Sequence, residues 1–370
     1  MKKTAILLGC SILVAGSTFA QKRAMGAKLD REKMKSSMQM VEKPLGFGAN
    51  LPKSATLEKY LPPVGDQGNF GTCVGWSTAY YASTAAFLIS ADSAGLQMPK
   101  EHAFDPFGLY NVAKYSEDTD CSWGLNMVDA LIAMRDSDDA TKKMNINPGN
   151  CGDIEFSGKN VFDITEAYYL YGWDDSYETK LEAICQQIVN KRPVVIGMMV
   201  PTSFFSIGAD GLFKPNKSTD QIEGGHAMCL VGYDDNKFGG AFKVVNSWGT
   251  SWGEKGFFWI KYKDFFDYVD EAYYFESGIS ASLKNGGCVA GTCATGYGVQ
   301  NIVGKNGAWA LFEGYFEKGK AVEGIFYSPV ASNDKKAGVK YINKVIKKSK
   351  GNAKAIYDGS RIAGFVLTRY

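Results

Sequence analysis

Apolar and polar positions change their pattern several times along this chain. Ala5 to Ala15 is an apolar run behind Lys2 and Lys3. It is too short to span a bilayer comfortably. The small residues of Thr18-Phe19-Ala20 follow it, so residues 1–20 read as an export signal cut before Gln21. Residues 21–50 are basic and Met-rich without strong apolar periodicity, which predicts a linker or a short pro-segment. Leu51 to Gly71, with Pro62-Pro63 and several glycines, has the chemistry of loops. From Cys73 to about Ala91 the chain is rich in Ala, Tyr and Trp and free of Pro, which predicts a buried helix with Cys73 in its first turn. Asp105-Pro106 predicts an N-cap followed by the first helical position. A third helix is predicted over Leu125 to Arg135.

After about Asp163 the pattern becomes that of strands. Pro193 to Val200, Ala227 to Tyr233, Ala241 to Asn246 and Gly256 to Tyr262 are apolar, β-branched or aromatic runs bounded by Gly, Pro and Asp. A helix-rich half before a strand-rich half predicts an α+β domain in two lobes.

Charge divides the chain further. The net charge is +2. Beyond Leu283 there are 14 Lys/Arg against 5 Asp/Glu, and residues 1–44 carry 9 against 3. Residues 45–283 are left with 18 basic against 31 acidic side chains. An acidic middle and a basic tail place a domain boundary near 284. Nothing in the pattern calls for nucleic acid. Setting Cys10 aside, seven cysteines remain, so at least one thiol is unpaired within the chain. No C-x-x-C occurs, so no metal site is expected, and no cofactor is called for.

The chemistry turns on Cys73. A thiolate is the working nucleophile of a cysteine, and the N-terminus of a helix favours an anion. Any imidazole partner must be His102 or His226, since the chain has two histidines. His102 stands in the polar Lys100-Glu101-His102-Ala103, a surface context. His226 follows Gly224-Gly225 at the start of a strand, where glycines let another chain approach closely, and is the expected base. Asn246 ends an apolar strand and offers a side-chain amide to orient the ring, with Trp248 placed to shield that hydrogen bond. Gln67, six residues before Cys73, can join the Cys73 backbone N–H as an oxyanion donor.

These segments together resemble the papain family of cysteine peptidases. Gln67-Gly68-Asn69-Phe70-Gly71-Thr72-Cys73 is similar to the family's Gln-loop-Cys segment. Gly224-Gly225-His226-Ala227 with Val231-Gly232-Tyr233-Asp234 resembles its histidine segment. Asn246-Ser247-Trp248-Gly249, then Trp252-Gly253 and Gly256-Phe257, resembles its asparagine segment. The likeness covers roughly Leu51 to Gly278. It implies a helical lobe facing a β-barrel lobe, with Cys73, His226, Asn246 and Gln67 in the catalytic roles. By the same likeness Gly124, in Cys121-Ser122-Trp123-Gly124, binds substrate backbone, with Gly225 across the cleft. There are departures. Val74 replaces an aromatic residue. Phe70 replaces a cysteine, so Cys121 lacks its usual partner and Cys151 becomes an alternative one. The long helical inhibitory propeptide is missing, which leaves open how activity is restrained.

The expected domains are therefore 1–20, 21–50, a papain-like domain over 51–283, and a basic Gly/aromatic-rich region over 284–370. That last region weakly resembles MORN-type repeats at Glu313-Gly314-Tyr315-Phe316, and Asp334 to Lys350 reads as a basic amphipathic helix. Its charge allows contact with an anionic surface. The expected function is that of a secreted or periplasmic, cell-envelope bacterial cysteine endopeptidase acting on peptides or proteins. An exopeptidase and an inactive binding scaffold are the alternatives. Oligomeric state, cleavage preference and disulfide pairing are not legible.

Overall fold

The computed structural model describes residues 23–41, 51–93, 103–136, 144–145, 149–152, 161–279, 286–303, 309–327, 352–358 and 361–368. The expected signal at 1–20, His102, and the helix expected over 334–350 lie outside these residues.

The first lobe is helical. Its central helix runs through Cys73–Gly75, Trp76–Ser83 and Thr84–Ser93, and is buried over most of its length. Its middle stretch is wound as a π-helix. Ser83 fits that register, its hydroxyl donating to the Thr78 carbonyl five residues back at 2.9 Å. Pro106–Ala113 follows the expected cap, with the Asp105 carboxylate accepting from the Phe107 N–H. The third helix, Met127–Asp136, starts two residues later than its apolar pattern suggests. Asn126 is the reason, because its side-chain oxygen accepts from the N–H groups of Val128 and Asp129 and caps the helix there.

The second lobe is built on strands. Hydrogen-bonded neighbours run in the order Phe257–Lys261, Ala241–Val245, Ile222–Asp234, Val194–Pro201, Val269–Ile279, Phe162–Tyr169 and Gln39–Met40, with Ser54–Thr56 also paired to Ile222–Asp234. Among the described residues this sheet is open, so the two-lobed α+β architecture stands without a closed barrel. Two helices interrupt the strand-rich half, Tyr177–Val189 and Tyr262–Tyr268. The first is capped by the Ser176 hydroxyl, which accepts from the Thr179 N–H. One core joins both lobes and reaches Val299 and Leu311 in a further six-stranded antiparallel sheet. That sheet is formed by Gly287–Gly291, Gly296–Val303, Trp309–Glu317, Lys320–Tyr327, Asn352–Asp358 and Arg361–Thr368.

Two disulfides form among the described residues. Cys121–Cys151 clamps the loop beside the nucleophile helix, and Cys288–Cys293 closes the first turn of the C-terminal sheet. Cys73, Cys185 and Cys229 are free and buried.

The residues before the first lobe are an integral part of the packing. Asp30 caps a short helix, Arg31–Ser37, by accepting from the Lys33 N–H. Met34 on that helix is 2% exposed. Upstream, Ala27–Lys28 pairs in parallel with Leu125–Asn126.

Candidate active site

Cys73 is the first residue of its helix, and the Thr72 hydroxyl makes no capping bond. The first-turn amides are thereby left to face the thiol. His226 sits on the long strand Ile222–Asp234, and the amide of the next residue, Ala227, also points at the thiol. The His226 Nε2 lies 2.8 Å from the Asn246 side-chain oxygen. Its Nδ1 has no hydrogen-bond partner among the described residues. Trp248 stacks on the imidazole, ring centres 4.8 Å apart, and is fully buried. Phe204, Phe205 and Trp252 pack around that indole and keep water from the His226–Asn246 bond.

Gln67 is held from both sides. Its N–H donates to the Ser247 carbonyl at 2.8 Å, and its side-chain oxygen accepts from the Ser247 hydroxyl at 2.6 Å. This fixes the amide so that Nε2 donates to Phe70 at 2.9 Å and to the Ala24 carbonyl at 3.1 Å. Tyr81 ties the same region together, its hydroxyl donating to the Asn246 carbonyl and accepting from the Gly65 N–H. Ser247 and Tyr81 lie within segments whose composition marked them only as neighbours of the key residues.

Gly124 and Gly225 clear a path. A Cβ on Gly124 would stand 2.1 Å from the Gly26 carbonyl oxygen, and one on Gly225 would stand 2.2 Å from that of Ala27. Gly124 offers its N–H inward to the Tyr110 hydroxyl at 2.8 Å, and Tyr110 in turn donates to buried Asp118 at 2.6 Å. The donor that meets the neighbouring chain is instead the Leu125 N–H, 2.8 Å from the Gly26 carbonyl.

The chain on that path is the protein's own segment from Arg23 to Asp30. Arg23 pairs with Asp66 at 2.9 Å. The Ala24 carbonyl takes the Gln67 amide, while the Gly26 N–H points at the Cys73 sulfur. Leu29 enters a recess beside Gly197, Met127 and Glu271. The Asp30 N–H donates to Glu271 at 2.6 Å. A cavity of about 500 Å³ remains between this segment and Asn69, Trp123 and Glu223. Sequence pattern had no means of revealing this placement, because the contacts are backbone hydrogen bonds and glycine clearances without periodicity.

The covering has electrostatic consequences. Cys73 and His226 are both fully buried. Burial pushes the thiol up to about 11, against the pull of the Ala227, Gly26, Val74 and Cys73 amides. Burial also lowers the imidazole to about 4, against the Asn246 hydrogen bond. Both groups are therefore neutral in this arrangement at neutral pH.

Comparison with known proteins bears on this geometry. A family model described as papain family cysteine protease matches residues 52–272. A peptidase C1-like protein of Acanthamoeba polyphaga mimivirus is 37% identical over 92 residues, covering 24% of this chain and 29% of that protein. The cathepsin B-like CP2 of Giardia intestinalis is 27% identical over 209 residues, covering 54% of this chain and 63% of that one. The chain thus spans less than two thirds of the curated relatives it matches first. Xylellain, a cysteine protease from Xylella fastidiosa, superposes with a TM-score of 0.50 at 21% identity, covering 69% of this chain and 96% of that one, which is a likeness of fold.

Proposed function

The chain belongs to the papain family of cysteine proteases, and from that premise we propose that it is a cysteine endopeptidase held in a latent state by its own residues 23–30. The observation that carries the reading is His226, hydrogen-bonded to Asn246 through Nε2 with Nδ1 unpartnered, on the strand whose next amide faces the Cys73 sulfur. In the active form, His226 takes the thiol proton and Cys73 attacks a peptide carbonyl. The Gln67 amide and the Cys73 N–H stabilise the oxyanion. The imidazolium returns its proton to the leaving amine, and a water deprotonated by His226 then releases the acyl group. Gly124 and Gly225 admit the substrate backbone, and Trp248 shields the His226–Asn246 bond.

Latency follows from which groups meet. Attack needs one peptide group with its carbon at the sulfur and its oxygen on Gln67. Here the carbonyl on Gln67 belongs to Ala24 and the group at the sulfur is the Gly26 amide, two residues away.

The test uses the mature enzyme and end-blocked peptides. Cys73→Ala should abolish cleavage while leaving the melting transition in place. Retained cleavage would refute the assignment, and release of terminal residues alone would make the enzyme an exopeptidase. Export through residues 1–20 is part of the same reading, and an N-terminal sequence of the cell-envelope fraction beginning near Gln21 would support it.

A further inference from the structure

We propose that the end of the cleft occupied by Arg31 is a subsite for an arginine side chain of the peptide substrate. This rests on the peptidase reading. The Arg31 guanidinium carbon stands 3.3 Å from the centre of the Trp173 ring, and its Nη2 lies 2.6 Å from the Asp270 carboxylate. A planar guanidinium can stack on an indole and present its edge to a carboxylate at once, which an ammonium cannot. Beneath it are polar atoms without hydrogen-bond partners, the Trp173 Nε1 and the hydroxyl of Tyr171, a residue 4% exposed. The Tyr171 hydroxyl lies within electrostatic reach of Asp270, Glu271 and Arg31. Glu271, 1% exposed, is held by the Tyr273 hydroxyl at 2.8 Å and by the Asp30 N–H at 2.6 Å.

Other charge at the site is limited. Lys180 stands 5.8 Å from the Trp173 ring and 5.7 Å from the Tyr171 ring, with its ammonium on the Trp173 carbonyl. Two carboxylates against one ammonium leave room for a further cation. When the segment departs, the Trp173 face and Asp270 are vacated and Glu271 loses its backbone donor. The rest of the cradle stays, because its residues belong to the strand Val269–Ile279 and to the turn after Phe162–Tyr169. Leu29 marks the neighbouring recess, nearer Cys73 by two residues. A peptide filling that recess therefore reaches the cradle with a residue farther from its scissile bond.

Two measurements test this. In the first, arginine is moved through the positions on both sides of the scissile bond of a fluorogenic peptide, each substrate paired with a citrulline twin. One position beyond the recess should favour arginine about tenfold in kcat/KM, with lysine between the two. Asp270→Asn should reduce that ratio below about twofold. Equal ratios at every position, or a preference that survives Asp270→Asn, would overturn the proposal. The second needs no cleavage and reads the rate at which an alkylating agent reaches Cys73 in the full chain. Arg31→Gln should raise that rate severalfold, and should add less in an Asp270→Asn background, where only the Trp173 stack remains to be lost. An unchanged rate, or additive effects of the two substitutions, would sink the subsite even if the chain cleaved no peptide.

Discussion

Acidification should open the cleft, and His226 sets by how much. In the closed form burial holds the imidazole at about 4, whereas its ordinary value is 6.5. With the segment displaced, water reaches the ring and the imidazole rises toward its ordinary value, which sets the upper bound of the effect. The open form therefore binds a proton more readily between pH 6.5 and 4. By linkage, the stability of the closed form is intact above pH 6.5 and is lost as pH falls through that window. Between pH 7 and 5 these values raise the opening equilibrium about 20-fold, or about 1.8 kcal/mol. Cys73 acts at the other end. Its thiol is raised from 9.0 to about 11, so closure weakens again as pH rises through that range. Glu271, raised by burial, binds its proton more tightly when closed and opposes the acid effect. Glu271→Gln combined with Cys73→Ser isolates the histidine, because a thiolate in the open form would pair with the imidazolium and cancel its net proton uptake. Hydrogen exchange at the Leu125 amide, which donates to Gly26, is the assay, with protection factors corrected for the intrinsic rate. In Glu271→Gln/Cys73→Ser, protection should fall up to about 20-fold from pH 7 to 5, and adding His226→Gln should flatten the profile. A flat profile with His226 present, or an unchanged slope without it, would refute the reasoning.

Asn246→Ala frees the imidazole to rotate and should lower kcat at least tenfold, the worth of one hydrogen bond at about 1.4 kcal/mol, with little change in KM. Tyr110→Phe leaves the Gly124 N–H and Asp118 each short of a partner and should cost about 1–3 kcal/mol in urea unfolding. Reducing Cys121–Cys151, which spans 30 residues, should cost about 3–4 kcal/mol; a Cys121→Ser/Cys151→Ser variant should melt where the reduced protein does.

The elements with local signals were the legible ones. Asp105-Pro106 marks its helix through a cap and a fixed φ, both properties of adjacent residues. The strands at Val194–Pro201, Ala241–Val245 and Phe257–Lys261 stand close to their apolar runs. The helix Tyr177–Val189 carried a signal of the same kind, Ser176 as cap and Leu181, Ile184, Cys185 and Ile188 on one face. It was masked by the strand-like runs on either side. Whether the sheet closes was not legible, because closure depends on which distant edges pair. Among the site residues, His226 was singled out by the scarcity of histidine, and Gln67 and Asn246 by spacing and sequence context. Ser247, Tyr81 and Tyr110 were not, since each acts through a hydrogen bond to a residue far along the chain.

On the proposed reading, the short N-terminal segment achieves latency with few residues because it imposes two barriers at once. The first is geometric, since the sulfur faces an amide N–H where attack requires a carbonyl carbon. The second is electrostatic, since the same covering removes water from Cys73 and His226 and leaves the thiol and the imidazole both neutral. A thiolate–imidazolium pair is stabilised by solvent and by the first-turn amides together, and burial withdraws the larger of these contributions. The helix N-terminus alone does not offset it. Departure of one segment therefore reverses both barriers together, by exposing the sulfur to a correctly placed carbonyl and by returning the pair to water. The anchors that hold the segment are Arg23 on Asp66, Arg31 on Asp270 and Lys33 on Asp129, basic side chains on an acidic domain. Exposed pairs of this kind are each weak and salt-sensitive. The closed state is thus held mainly by the glycine-cleared backbone contacts and by Leu29 and Met34, and ionic strength should shift it less than removal of either apolar side chain.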